Sequence, residues 1–205
     1  MRTRNVLVAV LILSGIAVRA GVVAKKIWTF DQDAIGKAPK GFTAGVGDWK
    51  VASEGDGKVL EQTAKNANPI FNVILADAPI AKDLDLSVKL KARAGKLDQG
   101  GGLVWRAKDA KNYYVARFNH LEDNFRVYKV VDGVRSQHFQ NADVAHRDDW
   151  MVVRVIMRGD HIECYLDAKK YLDVHDSSFP DAGKVGVWSK SDAQSSFDEL
   201  SLDTD

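Results

Sequence analysis

The segment Leu84–Ala94 alternates strictly between apolar and polar side chains over most of its length. Every second residue from Leu84 to Ala92 is apolar, while the residues between them are Asp, Ser and Lys. Successive side chains of a β-strand point to opposite faces, so the segment predicts a strand with one face in a core and the other in water. Because half-solvated strands are typical of antiparallel sheets, the pattern favours an antiparallel β architecture.

The same two-residue period recurs along the chain, and after residue 20 no segment keeps the apolar period of a helix. Turn-forming sequences such as Gly55–Gly57, Asp132–Gly133 and Gly159–Asp160 separate the alternating segments. We expect about fourteen short strands, one of them at Val134–Phe139, and this number favours two stacked sheets. The predicted fold is all-β, a two-sheet antiparallel jelly-roll β-sandwich, with residues 31–47 as its longest loop.

The N-terminus has the three parts of a signal peptide: a basic start, an apolar run at Val6–Val18, and small residues before a cut after Ala20. As a helix the apolar run would be about 20 Å long, which is shorter than the ~30 Å hydrocarbon core of a membrane. We therefore expect residues 1–20 to be removed, with Ala24 as a second cleavage point. Residues 21–205 would form one exported domain, periplasmic or extracellular and without a membrane anchor.

The charge of the chain restricts the class of partner that it can bind. The chain has 29 basic and 28 acidic residues, and removal of three arginines with the signal peptide would leave it slightly acidic. With no basic run in residues 21–205, the composition argues against nucleic acid as a partner.

The single cysteine, Cys164, excludes an internal disulfide and is predicted to be a small buried residue. We expect a monomer.

Several segments resemble one superfamily. Gly100–Arg117 contains Gly-Leu-Val-Trp-Arg followed by Asn-Tyr-Tyr-Val-Ala-Arg, and Asn124–Gly133, Ala182–Trp188 and Phe197–Leu200 continue the pattern. This series resembles the concanavalin A-like lectin/glucanase superfamily, near the laminin-G-like domains and the 3-keto-disaccharide hydrolase domains that are similar to family 16 glycosidases. The resemblance covers roughly residues 28–202 and implies a jelly-roll fold.

The resemblance implies a carbohydrate-binding module, with carbohydrate (a glycan or oligosaccharide) as the partner. Two alternatives stay open: a glycoside-cleaving enzyme related to the 3-keto-disaccharide hydrolases, and a non-catalytic protein-interaction module. The Glu-x-Asp-x-x-Glu strand that retaining glucanases of the superfamily use is absent from the sequence. The histidines have neither His-x-His nor His-Glu-x-x-His spacing, so the sequence predicts no zinc site.

The most specific prediction concerns a hairpin around residues 120–123. Pairing Asn119 with Asn124 places Phe118, Phe125, Ala116 and Val127 together on the core face, and it sets Arg117 opposite Arg126. Directly opposed arginines repel each other, so a compensating group is expected nearby. That group is either a neighbouring carboxylate or a polar ligand.

If the compensating group is a polar ligand, the hairpin face that bears Arg117 and Arg126 forms a ligand site. Arginine and asparagine side chains would donate to sugar hydroxyls or carboxylates, and an aromatic ring would contact the sugar. The residues assigned to this site are Arg117, Asn119, Asn124, Arg126, Tyr128, Trp105 and Trp188.

A weaker prediction concerns calcium. Asp31 lies near the first predicted strand and Asp198 near the last, so the two carboxylates meet if the terminal strands pair. With a backbone carbonyl they would hold a structural Ca²⁺, although two carboxylates are fewer than the usual ligand set of six to eight oxygens. We expect no other cofactor.

Overall fold

The computed structural model describes residues 24–204 of the protein. The predicted signal peptide, residues 1–20, lies outside this range. No helix within the range is long and apolar enough to cross a membrane.

Residues 24–204 form sixteen β-strands and no helix, so the all-β prediction is confirmed. In chain order the first eight strands are β1 (Ala24–Trp28), β2 (Phe42–Val46), β3 (Trp49–Glu54), β4 (Gly57–Gln62), β5 (Phe71–Ala76), β6 (Leu84–Ala94), β7 (Gly100–Asp109) and β8 (Asn112–Asn119). The remaining eight are β9 (Asn124–Val131), β10 (Val134–Arg135), β11 (Gln140–Asp143), β12 (Met151–Arg158), β13 (His161–Leu166), β14 (Lys169–His175), β15 (Lys184–Lys190) and β16 (Gln194–Thr204).

The strands form two antiparallel sheets of eight strands each. Sheet A has the order β14-β13-β12-β6-β16-β4-β3, with β1 also paired to β16. Sheet B has the order β10-β9-β8-β7-β15-β5-β2, with β11 also paired to β9. The predicted jelly-roll sandwich is therefore the observed architecture.

The main core lies between the sheets. In β6, the strand with the clearest alternation, Leu84, Leu86, Val88 and Leu90 are fully buried. They join a cluster that also contains residues of sheet B, such as Trp105. Cys164 of β13 is fully buried in the same cluster, as predicted.

Two parts of the strand prediction were wrong. The predicted loop 31–47 contains β2, whose five residues include only one buried side chain, that of Phe42. A predicted strand at Val134–Phe139 is instead the two-residue β10, followed by β11 further along the chain. Both are short outer segments of sheet B, where little side-chain burial marks a strand in the sequence.

Sheet B is strongly curled. The guanidinium carbon of Arg135 in β10 is 4.3 Å from the ring centroid of Tyr128 and 5.6 Å from that of Phe71 in β5. Four strands separate β10 from β5, and a flat sheet would hold them about 24 Å apart at ~4.8 Å per strand spacing. The face of sheet B that bears these side chains is therefore concave, and we call it the concave face.

The concave face holds a second core. Its members are fully or almost fully buried although they point away from sheet A. They are Val73, Leu75, Val104, Ala107, Tyr113, Val115, Tyr128, Val130 and Trp188, with Phe71 and Ala110 packed against them. Along β8, Tyr113 and Val115 of this core are followed on the same face by Arg117 and Asn119, so the polar side chains begin where the apolar ones end.

Candidate functional site

The hairpin of β8 and β9 has the predicted register. Arg117 lies opposite Arg126, and Asn119 lies opposite Asn124. The alternate residues of both strands belong to the main core, which explains why only this register is compatible with the fold. These core residues are Ala116, Phe118, Phe125 and Val127.

One carboxylate bridges the opposed arginines. Oε2 of Glu122 accepts hydrogen bonds from Nη2 of Arg117 and from Nη1 of Arg126, both at 3.1 Å. The same oxygen accepts a bond of 3.0 Å from the side-chain amide of Asn124. The neighbouring acid, one of the two compensating groups that the sequence left open, is therefore present.

The turn between the strands holds Glu122 in place. Oδ1 of Asn119 accepts hydrogen bonds from the backbone N–H groups of Leu121 and Glu122, at 2.9 and 3.1 Å. Asparagine commonly stabilises turns in this way, by bonding to the backbone two or three residues further on. Asn119 thus positions the carboxylate of Glu122.

The environment of Glu122 favours its charged form. Partial burial alone would raise its pKa, but the hydrogen bond from Asn124 and the charges of Arg117 and Arg126 outweigh this effect. Together they lower the pKa of Glu122 to about 2. The carboxylate is therefore ionised at neutral pH.

A second carboxylate, Asp98, extends the polar group beneath the hairpin. Its side chain is almost fully buried, with Oδ1 accepting a bond of 3.2 Å from the amide of Asn119 and Oδ2 lying 3.2 Å from the ammonium of Lys190. Burial raises the pKa of Asp98 and outweighs the opposing charges of Arg117 and Lys190. Asp192 holds the loop that carries Asp98. Its carboxylate accepts hydrogen bonds from the backbone N–H groups of three consecutive residues, of which Asp98 is the last.

We call this group the polar end of the concave face. It consists of Asp98, Arg117, Asn119, Glu122, Asn124, Arg126 and Lys190. Arg117 and Lys190 are 1% and 8% exposed, so their charges lie inside the protein.

The polar end contains hydrogen-bond donors that the described residues leave unused. Nε and Nη1 of Arg117 are buried and have no hydrogen-bond partner within residues 24–204. Nη1 of Arg135, beside the polar end, is also buried and has no hydrogen-bond partner among these residues. Buried donors without partners are costly, and they occur where a ligand or water completes the bonding.

A cavity of about 340 Å³ opens beside Arg135. Its lining residues are Pro69, Phe71, Gly133, Val134 and Arg135. Phe71 is partly exposed there, and Val134 is 73% exposed at the rim. The cavity thus combines an aromatic ring, an apolar rim and a guanidinium group, a mixture that is typical of small-molecule sites.

The two tryptophans assigned to the ligand site do not face a ligand. Trp105 lies in the main core, where its indole N–H points at the sulfur of Met157 at 3.1 Å. Trp188 lies in the second core, where it donates to the hydroxyl of Tyr113 at 3.2 Å and packs against Phe71. Both side chains are fully buried. The assignment of these two residues is corrected.

Tyr128 is also covered, because it is only 3% exposed and the guanidinium of Arg135 lies over its ring. Of the predicted side chains, Arg126 is the one that remains partly open to solvent, with 27% of its side chain exposed. The binding role of Arg117, Asn119, Asn124 and Arg126 stays a prediction.

Sequence reasoning missed five residues of this region. Glu122 lies within the hairpin turn, four residues before Arg126, so its position could have been inferred from the register. Asp98, Lys190, Phe71 and Arg135 come from other strands and loops. No spacing in the sequence connects them to the hairpin.

Asp31 and Asp198 meet on sheet A, where β1 pairs with β16 as predicted. They line a cavity of about 280 Å³. Burial raises the pKa of Asp198, and the nearby charge of Asp31 adds to the rise. However, the ammonium of Lys58 donates to the backbone carbonyls of Asp31 and Asp33 at 2.7 and 2.8 Å. These oxygens are of the type that binds Ca²⁺, so Lys58 competes with the ion.

Another group of possible metal ligands lies on the outer face of sheet A. His161, Glu163 and Asp173 each offer one possible ligand atom, and these three atoms lie within 4.8 Å of one another. The ammonium of Lys170 already bonds both carboxylates at 2.7 Å. The group is therefore a satisfied ion-pair cluster. The pairing of β13 with β14 created this proximity, which the sequence spacing did not reveal.

No protein-family model matches the chain, and no curated protein is detectably similar to it in sequence. Solved structures are similar in fold. The carbohydrate binding module CBM66 from Bacillus subtilis is 25% identical, with a TM-score of 0.67 over 78% of this chain and 93% of that one. The exoplasmic/lumenal domain of VIP36, in its Ca²⁺- and mannose-bound form, is 16% identical, with a TM-score of 0.61 over 87% and 88%.

A third similar structure is the Bacillus licheniformis β-glucanase, which is 9% identical with a TM-score of 0.58 over 91% of this chain and all of that one. Lectin, binding-module and glucanase structures thus share one architecture with this protein. The chain has the concanavalin A-like jelly-roll fold that the resemblance of Gly100–Arg117 and the later segments implied.

Proposed function

We propose that the protein is a carbohydrate-binding β-sandwich and that it binds its ligand at the polar end of the concave face, next to Phe71. The observation that carries this proposal is the set of buried guanidinium N–H groups on Arg117 and Arg135 that have no hydrogen-bond partner among residues 24–204, together with the open cavity that Arg135 lines. Sugar hydroxyls and carboxylates accept hydrogen bonds from such donors, and an aromatic ring packs against the apolar face of a sugar.

The similar structures support the ligand class. One is a carbohydrate binding module, and another was solved with bound mannose. The proposal includes export to the periplasm or the medium, which rests on the sequence of residues 1–20, and action as a monomer. Calcium binding at Asp31 and Asp198 belongs to the same proposal, in competition with Lys58.

A glycan array with the purified protein, followed by calorimetric titration of the selected glycan, tests the proposal. Phe71→Ala should lower the affinity about 2- to 12-fold through loss of the ring contact. Arg126→Ala should lower it if the ligand reaches the exposed part of the hairpin. Phe139→Ala serves as a control, since this ring lies outside the cavity. Unchanged affinity in Phe71→Ala would exclude this cavity as the site.

Glycoside cleavage is the second candidate, and the fold of the Bacillus licheniformis β-glucanase is the observation in its favour. The Glu-x-Asp-x-x-Glu strand is missing from the sequence, and the carboxylates at the polar end are held by basic side chains. Release of reducing sugar from the glycan selected on the array distinguishes the two functions, because a binding module leaves the glycan intact.

A further inference from the structure

The polar end and Arg135 together carry more positive than negative charge. Four cationic side chains, those of Arg117, Arg126, Arg135 and Lys190, face two carboxylates, those of Asp98 and Glu122. Glu122 is shared between two arginines, and Asp98 is paired with Lys190. The charge of Arg135 is left without a carboxylate within salt-bridge distance among residues 24–204.

The two guanidinium groups with unused donors lie against the same aromatic ring. Both are placed over the ring of Tyr128, with their central carbons 6.0 Å (Arg117) and 4.3 Å (Arg135) from its centroid. Burial lowers the pKa of Arg135, and repulsion from Arg117 adds to this effect. Their unused donors are Nε and Nη1 of Arg117 and Nη1 of Arg135. An anion placed here would accept hydrogen bonds and relieve the repulsion together.

We propose that the sugar bound at this site carries a carboxylate, as a uronic acid does, and that Arg117 and Arg135 hold it. The inference rests on the carbohydrate-binding function proposed above and specifies its ligand class. A neutral hydroxyl would use the same donors but would leave the repulsion uncompensated. A carboxylate offers two acceptor oxygens and a full negative charge, so both partners of its hydrogen bonds to a guanidinium group are ionised.

The test compares acidic oligosaccharides with matched neutral ones. Oligogalacturonate, oligomannuronate and a glucuronate-bearing xylan fragment are each titrated into the purified protein, beside the same compound after chemical reduction of its carboxyl groups. We expect at least one acidic compound to bind about tenfold or more tightly than its reduced form. The preference should shrink as salt is added, because the attraction is between charges.

Three variants assign the preference to residues. Arg135→Gln and Arg117→Lys should each reduce it toward equal binding of the acidic and reduced compounds. Arg117→Lys keeps a positive charge beside Glu122, so it protects the fold while it removes the guanidinium donors. Arg154→Gln is the control, because Arg154 pairs with Asp85 on sheet A and lies outside the site.

The outcomes separate this inference from the proposed function. Equal or stronger binding of the reduced compounds would overturn the acidic ligand and leave carbohydrate binding intact. An acidic preference that survives in both arginine variants would overturn the role of these two residues. Absence of binding to every acidic and neutral glycan on the array would overturn both proposals together.

Discussion

At the scale of single residues, Glu122 determines how the hairpin tolerates two opposed arginines. Like charges directly across a strand pair cost some tenths of a kcal/mol to about 1 kcal/mol. The register predicted from the sequence identified this problem, and the structure shows that a carboxylate from the turn bonds to both Arg117 and Arg126. Because Arg117 is buried, loss of that carboxylate would leave its charge uncompensated inside the protein.

We expect Glu122→Gln to lower the free energy of unfolding by about 1–3 kcal/mol at neutral pH, because a buried arginine loses its ion pair. The pKa of Glu122 is lowered from 4.5 to about 2 in the folded protein, so the charged form stabilises the fold. That stabilisation is complete above the unfolded pKa and is lost as the pH falls through the folded pKa. The difference between wild type and variant should therefore shrink between pH 4.5 and about 2.

Urea unfolding of both proteins across this pH range measures the difference. Glu61→Gln is the control, since Glu61 lies in β4 of sheet A and forms no ion pair with an arginine among residues 24–204. A difference that stays constant down to pH 2 would show that the Glu122 carboxylate is not the source of the stability.

At the scale of strands, the alternation of apolar and polar residues predicts which side chains of one strand face the core. It does not predict how the sheet bends. The hairpin register was predictable because a shift by one residue would expose Phe118 and Phe125. The place of Trp188 in a second core was not predictable, because this side chain points away from the main core and is covered only through the curl of sheet B. For the same reason Arg135 and Phe71, far apart in sequence, could not be assigned to one cavity.

Gly102 in β7 shows how closely the strands of sheet B approach one another. It lies between Arg117 of β8 and Trp188 of β15, and a Cβ at this position would be only 1.8 Å from the backbone oxygen of Ala116. We expect Gly102→Ala to destabilise the protein by about 2 kcal/mol or more, since the backbone must shift.

Gly57→Ala is the matched control for this substitution. Gly57 is the first residue of β4, and the nearest atom to a Cβ added at this position would be an oxygen of Asp31 at 3.5 Å, an ordinary contact. Its replacement should be neutral or stabilise by up to about 1 kcal/mol, because alanine restricts the unfolded chain. Thermal melts of both variants provide the comparison, and equal melting temperatures would contradict the close approach at Gly102.

At the scale of the whole molecule, the two-sheet sandwich was predictable because the prediction rests on many alternating strands. An error in one strand therefore does not change the predicted architecture. The missed strand β2 did not change the predicted two-sheet architecture. The candidate site was predictable only where it lies on a single hairpin, because Asp98 and Lys190 reach it through pairings between distant segments.

The site of Asp31 and Asp198, beside the pairing of β1 with β16, allows a test of calcium binding. Lys58→Met removes the ammonium group from the carbonyls of Asp31 and Asp33 while keeping a long apolar side chain. We expect calcium to raise the melting temperature of this variant by about 2–4 °C more than that of the wild type, as ion binding adds roughly 1 kcal/mol. Melts in calcium chloride and in EDTA measure the shift, and an equal response of both proteins would show that Lys58 does not compete with the ion.

The pairing of β1 with β16 also affects how the domain can be connected to other chains. Ala24 lies directly opposite Thr204, and opposed residues of an antiparallel pair have Cα atoms about 5 Å apart. A bridge of a few residues could therefore join the two ends, and new ends could be opened at the exposed turn Asp132–Gly133, giving a circular permutant of the same fold. By the same geometry, the domain could be inserted into a surface loop of a host protein without separating the two sides of that loop.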